Sequence, residues 1–529
     1  MIDAYNRNLP FDQFTIEQLA GDLLPDPTVE QLIATGFNRN HRINGEGGII
    51  PEEYLVEYIV DRVETTSATW MGLTMGCAKC HSHKYDPISQ HDYYRFLAFF
   101  NQTEDADRND DSPRVPTPTA EQLTQKEELT QKLTDLRKQQ KAASPEGAAD
   151  ELTSQIETLE KQLAGLNKSI IDTPVMRELA ADKRRETYVH VRGNFLEKGD
   201  KVDSGFPAAF EVDRHHSGAG RLAVAEWLVS DQNPLTARVT VNRIWSRFFG
   251  RGIVETEEDF GTQGMLPSHP ELLDWLAVEF RDAHNWSLKQ LCRAIVLSST
   301  YQQTAAVSEA SRASDPQNHW FSRGPRFRLS AEAVRDQALA AASLLSGKIG
   351  GPSVMPPQPD GIWRTTYSTL KWETPSDEDR YRRGLYTFLR RTSPYPSMMT
   401  FDGTSREVCQ IRRIRTNTPL QALVTMNDPV FVEAAGALAK SVSSLDGEDQ
   451  LSTMFRRVLI RPATSDELAR MNVLLKETLA EFQRDASAAK DLLEEARVEA
   501  TEAWQTEELA ALTVVASVVL NLDEAVMRP

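Results

Sequence analysis

Cysteine is scarce in this sequence, with four residues, Cys77, Cys80, Cys292 and Cys409, among 529. So small a number excludes a fold that is held together by a framework of disulfides. Long apolar runs are missing as well. The most apolar stretch, LAALTVVASVVLNL at 509–522, is interrupted by Thr and Ser and is shorter than a membrane span requires. It therefore predicts a buried helix, and we expect no transmembrane segment.

Basic residues are in deficit, because 59 lysines and arginines face 77 aspartates and glutamates and leave a net charge of −18. A surface this acidic argues against nucleic acids and anionic membranes as partners, since both attract proteins through cationic patches. The sequence also lacks the Walker, G-x-G-x-x-G, G-x-S-x-G and H-E-x-x-H motifs. None of the enzyme classes that use these motifs is therefore indicated.

Helical periodicity dominates the rest of the sequence, because apolar residues recur at spacings of three and four. It predicts a mainly α protein that is divided into five consecutive parts. These are a multi-helical domain at 1–105, a linker at 106–118, a helical hairpin at 119–170, a connector with a short β segment at 171–217, and a large multi-helical domain at 218–529.

Local signals refine this division. Thr15, followed by Gln18, predicts the N-cap of a helix in TIEQLAGDLL, and Pro51 predicts the first residue of the next helix. In the hairpin, apolar residues spaced by four and three predict a short antiparallel coiled coil. They are Leu152, Ile156, Leu159, Leu163 and Leu166. Alternation in 185–207 predicts a β segment or hairpin, with His190 as an exposed strand residue.

One short motif carries most of the chemical information. Cys77, Cys80 and His81 form C-x-x-C-H within GCAKCHSH. Two thiols at this spacing can bind the vinyl groups of a haem, and the histidine that follows then ligates the iron. Zinc needs four ligands, and the sequence has no second cysteine pair to complete such a site. A dithiol redox site would need a thioredoxin-like context, which the pattern does not indicate. Haem is favoured, and zinc or dithiol chemistry are the alternatives.

A haem iron also needs a sixth ligand or an open position. His83 is too close to His81 in sequence to reach the opposite face of the haem. We expect His41 to be the sixth ligand, because it lies on the glycine-rich segment that leads into the helix before the motif. Its neighbour Arg42 is expected to contact a haem propionate. Other candidates for the sixth ligand are His215, His216, Met265, Met398 and Met399.

Arginines concentrate in two segments of this acidic chain, RGPRFR and REVCQIRRIR. They are Arg323, Arg326, Arg328, Arg406, Arg412, Arg413 and Arg415. They predict either a site for a carboxylate or sulfate-bearing ligand or a set of braces between helices. Cys292 lies in an apolar helical pattern, which predicts a buried thiol.

Longer stretches of the sequence resemble a known family. GFNRNHRINGEGGIIPEEYLVEYIVDRVE, GLTMGCAKCHSHKYDPISQHDYYRF, NPLTARVTVNRIWSRFFG and RGPRFRLSAEAVRDQALA resemble the planctomycete cytochrome c-type proteins. In that family a cytochrome c-like domain, here 1–105, is paired with a C-terminal domain of unknown function. The resemblance implies an extracytoplasmic protein that carries haem c at Cys77, Cys80 and His81. Members typically begin with an export signal, whereas this chain begins inside the first shared domain, so we expect an N-terminal truncation.

These observations predict a c-type haem protein of the periplasm or cell surface that exchanges electrons with a redox partner protein. If it is an enzyme, we expect a haem-dependent oxidoreductase. A link to polysaccharide breakdown, with a carbohydrate or anionic ligand, follows from the company that the family keeps. The alternative is a non-enzymatic binding or scaffold protein with a structural metal at the C-x-x-C-H motif.

Overall fold

Helices dominate the computed structural model of this chain, which confirms the predicted mainly α fold class. The structure describes residues 1–41, 49–104, 111–142, 147–210, 220–363, 370–500 and 505–528. The chain forms two units, which we call unit 1 and unit 2. Unit 1 consists of Met1–Trp245 and Gly252–Val296, and unit 2 consists of Ser246–Arg251 and Leu297–Pro529.

Unit 1 contains the N-terminal helices and the helical hairpin. Its helices are α1 (Ile2–Asn6), α2 (Phe11–Ala20), α3 (Val29–Ala34), α4 (Pro51–Thr66), α5 (Gln90–Phe100), α6 (Ala120–Ala142), α7 (Gly147–Ser169), α8 (Arg221–Leu228), α9 (Thr236–Phe249, whose last residues belong to unit 2), α10 (Pro270–Val278) and α11 (Leu288–Val296). Turns of 3-10 or π-helix extend or join several of them, notably Gly21–Leu23, Thr35–Arg39, Ser67–Met71 and Met75–Lys79.

Unit 2 is built from the remaining helices. They are α12 (Glu309–Ser314), α13 (Ala331–Ala341), α14 (Pro396–Thr400), α15 (Pro419–Asn427), α16 (Pro429–Val442), α17 (Gly447–Leu459), α18 (Ser465–Arg484), α19 (Ala486–Glu495) and α20 (Thr506–Leu520). The prediction that 509–522 is a buried helix is confirmed by α20. No helix in the ranges that the structure describes is long and apolar enough to cross a membrane.

Six short strands in the described residues form three antiparallel pairs. They are β1 (Arg114–Pro116) with β2 (Asp172–Pro174), β3 (Thr187–His190) with β4 (Lys198–Val202), and β5 (Phe327–Arg328) with β6 (Met527–Arg528). The β3–β4 pair is the hairpin predicted within 185–207. β1 lies in the segment predicted as a linker, and its pairing with β2 joins the two ends of the α6–α7 hairpin.

The α6–α7 hairpin has the predicted coiled-coil seam. Leu129 and Leu133 of α6 and Ile156 of α7 are buried although most of their neighbours are exposed. These apolar positions recur at the three- and four-residue spacing that keeps one face of each helix toward its partner. The hairpin is therefore held by a narrow apolar stripe between two polar surfaces.

The core of unit 1 gathers side chains from α2, α4, α5 and α8. Trp70, Phe100 and Trp227 are almost completely buried, and each such ring stabilises the fold by about 2 kcal/mol. Arg221, at the start of α8, is also buried and donates to the carboxylate of Asp22 at 2.7 Å. This core fixes α4 and α5, the two helices that flank the C-x-x-C-H motif.

The core of unit 2 centres on α16 and α20. Leu438 and Val442 of α16 and Val515 and Val519 of α20 are fully buried. Asp428 caps α16 by accepting from the backbone N–H of Val430 at 3.1 Å.

One predicted helix start is wrong. α2 begins at Phe11, upstream of the Thr15 that the pattern indicated as its N-cap. Thr15 is buried inside the helix, where its hydroxyl accepts from the indole N–H of Trp70 at 2.9 Å. This tertiary hydrogen bond explains why a residue typical of caps occurs there. Pro51, in contrast, is the first residue of α4, as predicted.

Candidate functional site

The C-x-x-C-H motif lies on the 3-10 helix Met75–Lys79 and on the turn that follows it. Met75 and Ala78 are fully buried in the core of unit 1, whereas Cys77 and Cys80 are exposed. Residues three apart eclipse one another along a 3-10 helix, which places the two cysteines on the same side of the turn. The local fold thus presents both thiols to solvent from a fixed base.

Lys79, between the two cysteines, is tied to both flanking helices. Its Nζ lies 2.7 Å from Oε1 of Glu57 in α4. Its carbonyl oxygen accepts from Nε2 of Gln90 at 3.1 Å and from the hydroxyl of Tyr94 at 3.0 Å, both in α5. The backbone between the thiols is therefore held by three contacts that need no bound cofactor. The sequence analysis missed these supporting residues, because they lie outside the motif.

His81 follows Cys80 on the exposed part of the turn. Its Nδ1 lies 2.8 Å from the backbone carbonyl oxygen of Ser82. Because a carbonyl oxygen only accepts, Nδ1 carries the hydrogen in this bond, and the neutral imidazole keeps its lone pair on Nε2. Metal-ligating histidines are commonly oriented by such a bond from their second nitrogen. His81 is therefore arranged to offer Nε2 as a ligand.

His83 has a structural role in the same turn. It is buried, and its Nδ1 accepts from the backbone N–H of Asp86 at 2.8 Å. Asp86 in turn accepts from the backbone N–H and the hydroxyl of Thr262, at 2.7 and 2.9 Å. These bonds fasten the segment after the motif to a second loop of unit 1, and they agree with leaving His83 out of the haem ligands.

The turn of the β3–β4 hairpin contacts the motif at Gly193. This glycine has a φ of +77°, in the left-handed region that side-chain-bearing residues rarely adopt. A Cβ atom added there would lie 2.7 Å from Sγ of Cys80. Both the backbone conformation and the close approach therefore require glycine at this position. The glycine in VRGN signals a turn in the sequence, but nothing there indicates its contact with Cys80.

The prediction for His190 is wrong in one respect. It lies on β3 as expected, but it is only 9% exposed, and its ring packs against Tyr94 with 5.1 Å between the centroids. Burial lowers the pKa of His190, and the nearby Lys198 and Lys79 lower it further, so the ring is neutral at neutral pH. Its Nδ1 is buried without a hydrogen-bond partner among the described residues. The sequence conceals this environment, because Tyr94 belongs to a distant helix.

The residues expected around a sixth iron ligand are distributed as follows. His41 stacks on Tyr58 of α4 with 4.2 Å between ring centroids, whereas the motif contacts α4 at Glu57. Arg42 lies outside the described residues, as do His215 and His216. Met398 and Met399 belong to α14 of unit 2, and Met265 lies on an exposed loop of unit 1.

Several of the clustered arginines brace unit 2. Arg326 and Arg328 each lie 3.1 Å from the carboxylate of Asp523, and Arg413 lies 2.8 Å from that of Glu332. Of the two predicted roles for these side chains, the structure thus shows the bracing one.

The thiol of Cys292 is only partly buried, although the pattern predicted a buried one. It is not part of a disulfide, and burial raises its pKa. It therefore neither pairs with Cys409 nor has the lowered pKa of a reactive thiol.

In the part of the chain that the structure describes, no group of three or more His, Cys, Asp and Glu residues is placed to hold a metal ion. A covalently bound haem sets a smaller requirement, since the porphyrin supplies four of the iron ligands and the protein supplies two thiols and one imidazole.

Two family models match the chain, and both describe proteins of unknown function. Residues 1–105 match PSCyt2, "Protein of unknown function (DUF1549)", and residues 220–475 match PSD1, "Protein of unknown function (DUF1553)". The C-x-x-C-H motif falls within the first match. No curated protein and no solved structure matches the chain. The expected pairing of two such domains is confirmed, whereas the cytochrome character stays a prediction.

Proposed function

We propose that this chain is an extracytoplasmic c-type haem protein that transfers electrons. Cys77 and Cys80 would hold the haem through thioether bonds, and His81 would bind its iron through Nε2. One observation carries the proposal. Two exposed thiols on one side of a 3-10 turn adjoin an imidazole whose Nδ1 already donates to the Ser82 carbonyl. When bound, the haem supplies an iron that alternates between the ferrous and ferric states.

The surroundings of the motif fit such a group. Tyr85, in the same turn, has an exposed ring, and Val191 and Leu196 expose apolar side chains in the hairpin turn that contacts Cys80 through Gly193. Exposed apolar side chains around a polar motif suit a ligand with broad apolar faces. The bonds from Glu57, Gln90 and Tyr94 to Lys79 would keep the attachment points in place during electron transfer.

The net charge of −18 favours a basic redox partner protein. Opposite charges on two proteins speed their encounter, and salt weakens this effect. We expect electron transfer to a basic partner to slow as ionic strength rises.

His41 is our proposal for the sixth ligand, and Arg42 for a propionate contact. Binding of carbon monoxide or cyanide to the native protein tests whether the sixth position is open. An occupied position that opens in His41→Ala supports the proposal for His41. An open position in the unaltered chain would point instead to a haem-dependent oxidoreductase.

The test of the proposed function is covalent haem. The full chain, exported behind a leader in a host that matures c-type cytochromes, should show a Soret band. It should also show a haem-staining band that survives denaturing electrophoresis. Cys77→Ser and Cys80→Ser together should abolish that band, whereas Cys292→Ser, the matched control, should retain it.

Two outcomes count against this function. Absence of covalent haem under these conditions, with both thiols intact, would refute it. One zinc per chain in place of one iron would favour the binding or scaffold protein with a structural metal.

A further inference from the structure

Unit 2 contains a cavity that the motif does not involve. The C-terminal ends of α13 and α17 and the segment 524–527 enclose a volume of 610 Å³, which we call the α13–α17 pocket. A volume of this size is typical of sites for small organic molecules. It lies wholly within unit 2 and carries its own inference, independent of haem.

The walls of the α13–α17 pocket are largely apolar. Ala340 and Ala341 contribute from α13, Leu459 from α17, and Met527 from β6. The amide of Gln337, which also lines the pocket, is already used, because it donates to the backbone carbonyl of Ala525 at 2.6 Å. A ligand would therefore meet a hydrophobic surface over most of its area.

One uncompensated charge faces this pocket. Arg457 donates from Nη1 to the hydroxyl of Ser441 at 2.6 Å, and within the described residues no carboxylate lies at ion-pair distance from it. Glu524 also lines the pocket, but Arg461 neutralises it by donating to both of its oxygens, at 2.8 and 2.6 Å. The pocket therefore has a net positive charge, and its remaining guanidinium donors suit a carboxylate.

The rim has a feature that folding does not explain. Ile460, at the end of α17, has a φ of +59° and is 85% exposed. A β-branched residue is disfavoured in the left-handed region, and glycine is usual at such helix ends. Ser343, just beyond α13 and also a lining residue, has a φ of +59° as well and carries an exposed hydroxyl. Backbone strain of this kind tends to mark sites of function.

From these observations we propose that the α13–α17 pocket binds a small organic carboxylate with an apolar body. The carboxylate accepts from Arg457 and from the hydroxyl of Ser343. The apolar body packs on Ala340, Leu459 and Ile460. A cationic or uncharged molecule of the same shape lacks the pairing with Arg457 and binds more weakly.

Calorimetric titration of the full chain with hexanoate, hexylamine and hexanol tests this site. Hexanoate should show saturable, submillimolar binding, and the other two should bind at least ten-fold more weakly. Arg457→Gln should weaken hexanoate at least ten-fold. Arg456→Gln is the matched control, because Arg456 is exposed in the same helix turn but does not line the pocket, and its affinity should be unchanged.

A second variant tests the volume of the pocket without altering its charge. Ala340→Leu adds a larger side chain at an exposed helical position, so the fold should be retained and hexanoate binding should be lost. Circular dichroism and the thermal midpoint verify folding of each variant. The proposal is overturned by an absence of hexanoate binding to the unaltered chain, by hexylamine binding as tightly, or by equal losses in Arg457→Gln and Arg456→Gln.

Discussion

The motif of unit 1 and the α13–α17 pocket of unit 2 are built in opposite ways. In unit 1 the reactive groups, Cys77 to His81, are contiguous in sequence, and distant segments only hold them in place. In unit 2 the groups themselves, such as Ala340, Arg457 and Met527, come from separate segments and meet only in the folded chain. A site of the first kind is recognised before its geometry is known. A site of the second kind has no signature until the geometry is known.

The largest effect that we expect tests the hairpin turn that supports the motif. Gly193→Ala places a side chain at a φ of +77° and 2.7 Å from Sγ of Cys80. The left-handed backbone alone costs about 1 to 2 kcal/mol, and the contact adds to it. We expect the free energy of unfolding to fall by about 2 to 3 kcal/mol, measured by chemical denaturation.

The control for that variant lies in unit 2. Gly350 has a φ of +81°, but an added Cβ there meets no atom within 4 Å. Gly350→Ala should therefore cost only the backbone part, about 1 kcal/mol. Equal losses in the two variants would mean that the contact with Cys80 contributes nothing, and the hairpin would then not be a support of the motif.

The next effect concerns buried charge, in which the two units also differ. Asp86 of unit 1 and Asp428 of unit 2 are 6% and 5% exposed. Asp86 accepts two hydrogen bonds from Thr262. Asp428 lies among apolar helices, and burial raises its pKa to about 6, although the Val430 N–H and Arg335 oppose that rise.

This raised pKa makes the stability of unit 2 depend on pH. The folded carboxyl binds a proton more tightly than the unfolded one, so Asp428 favours folding at low pH and loses that contribution as the pH rises toward 6. With about two units of difference, the free energy of unfolding should fall by about 2 kcal/mol between pH 4 and 7.

Asp428→Asn isolates this contribution, because asparagine keeps an oxygen that can cap α16 but does not titrate here. Denaturation measured across this pH range should give a shallower slope for the variant than for the unaltered chain. Identical slopes would show that Asp428 does not titrate in this range.

The sequence predicted features whose determinants are local. The C-x-x-C-H motif, the start of α4 at Pro51 and the β3–β4 hairpin all depend on residues within a few positions of one another. Predictions for single side chains failed where a distant contact decides the outcome. Thr15 bonds to Trp70, and His190 packs on Tyr94. The α13–α17 pocket was missed for the same reason, since no pattern in one segment reveals the segments that face it.

The smallest effect brings the comparison to the rim of the pocket. Ile460→Gly relieves a left-handed conformation and removes a side chain that is 85% exposed, so little buried area is lost. We expect the free energy of unfolding to rise by about 1 kcal/mol. Hexanoate should bind more weakly to the same variant, because the apolar contact at the rim is gone. A gain in stability accompanied by weaker binding would explain why a strained isoleucine stands where glycine fits better. A gain without any change in binding would remove Ile460 from the site and leave the strain without a role.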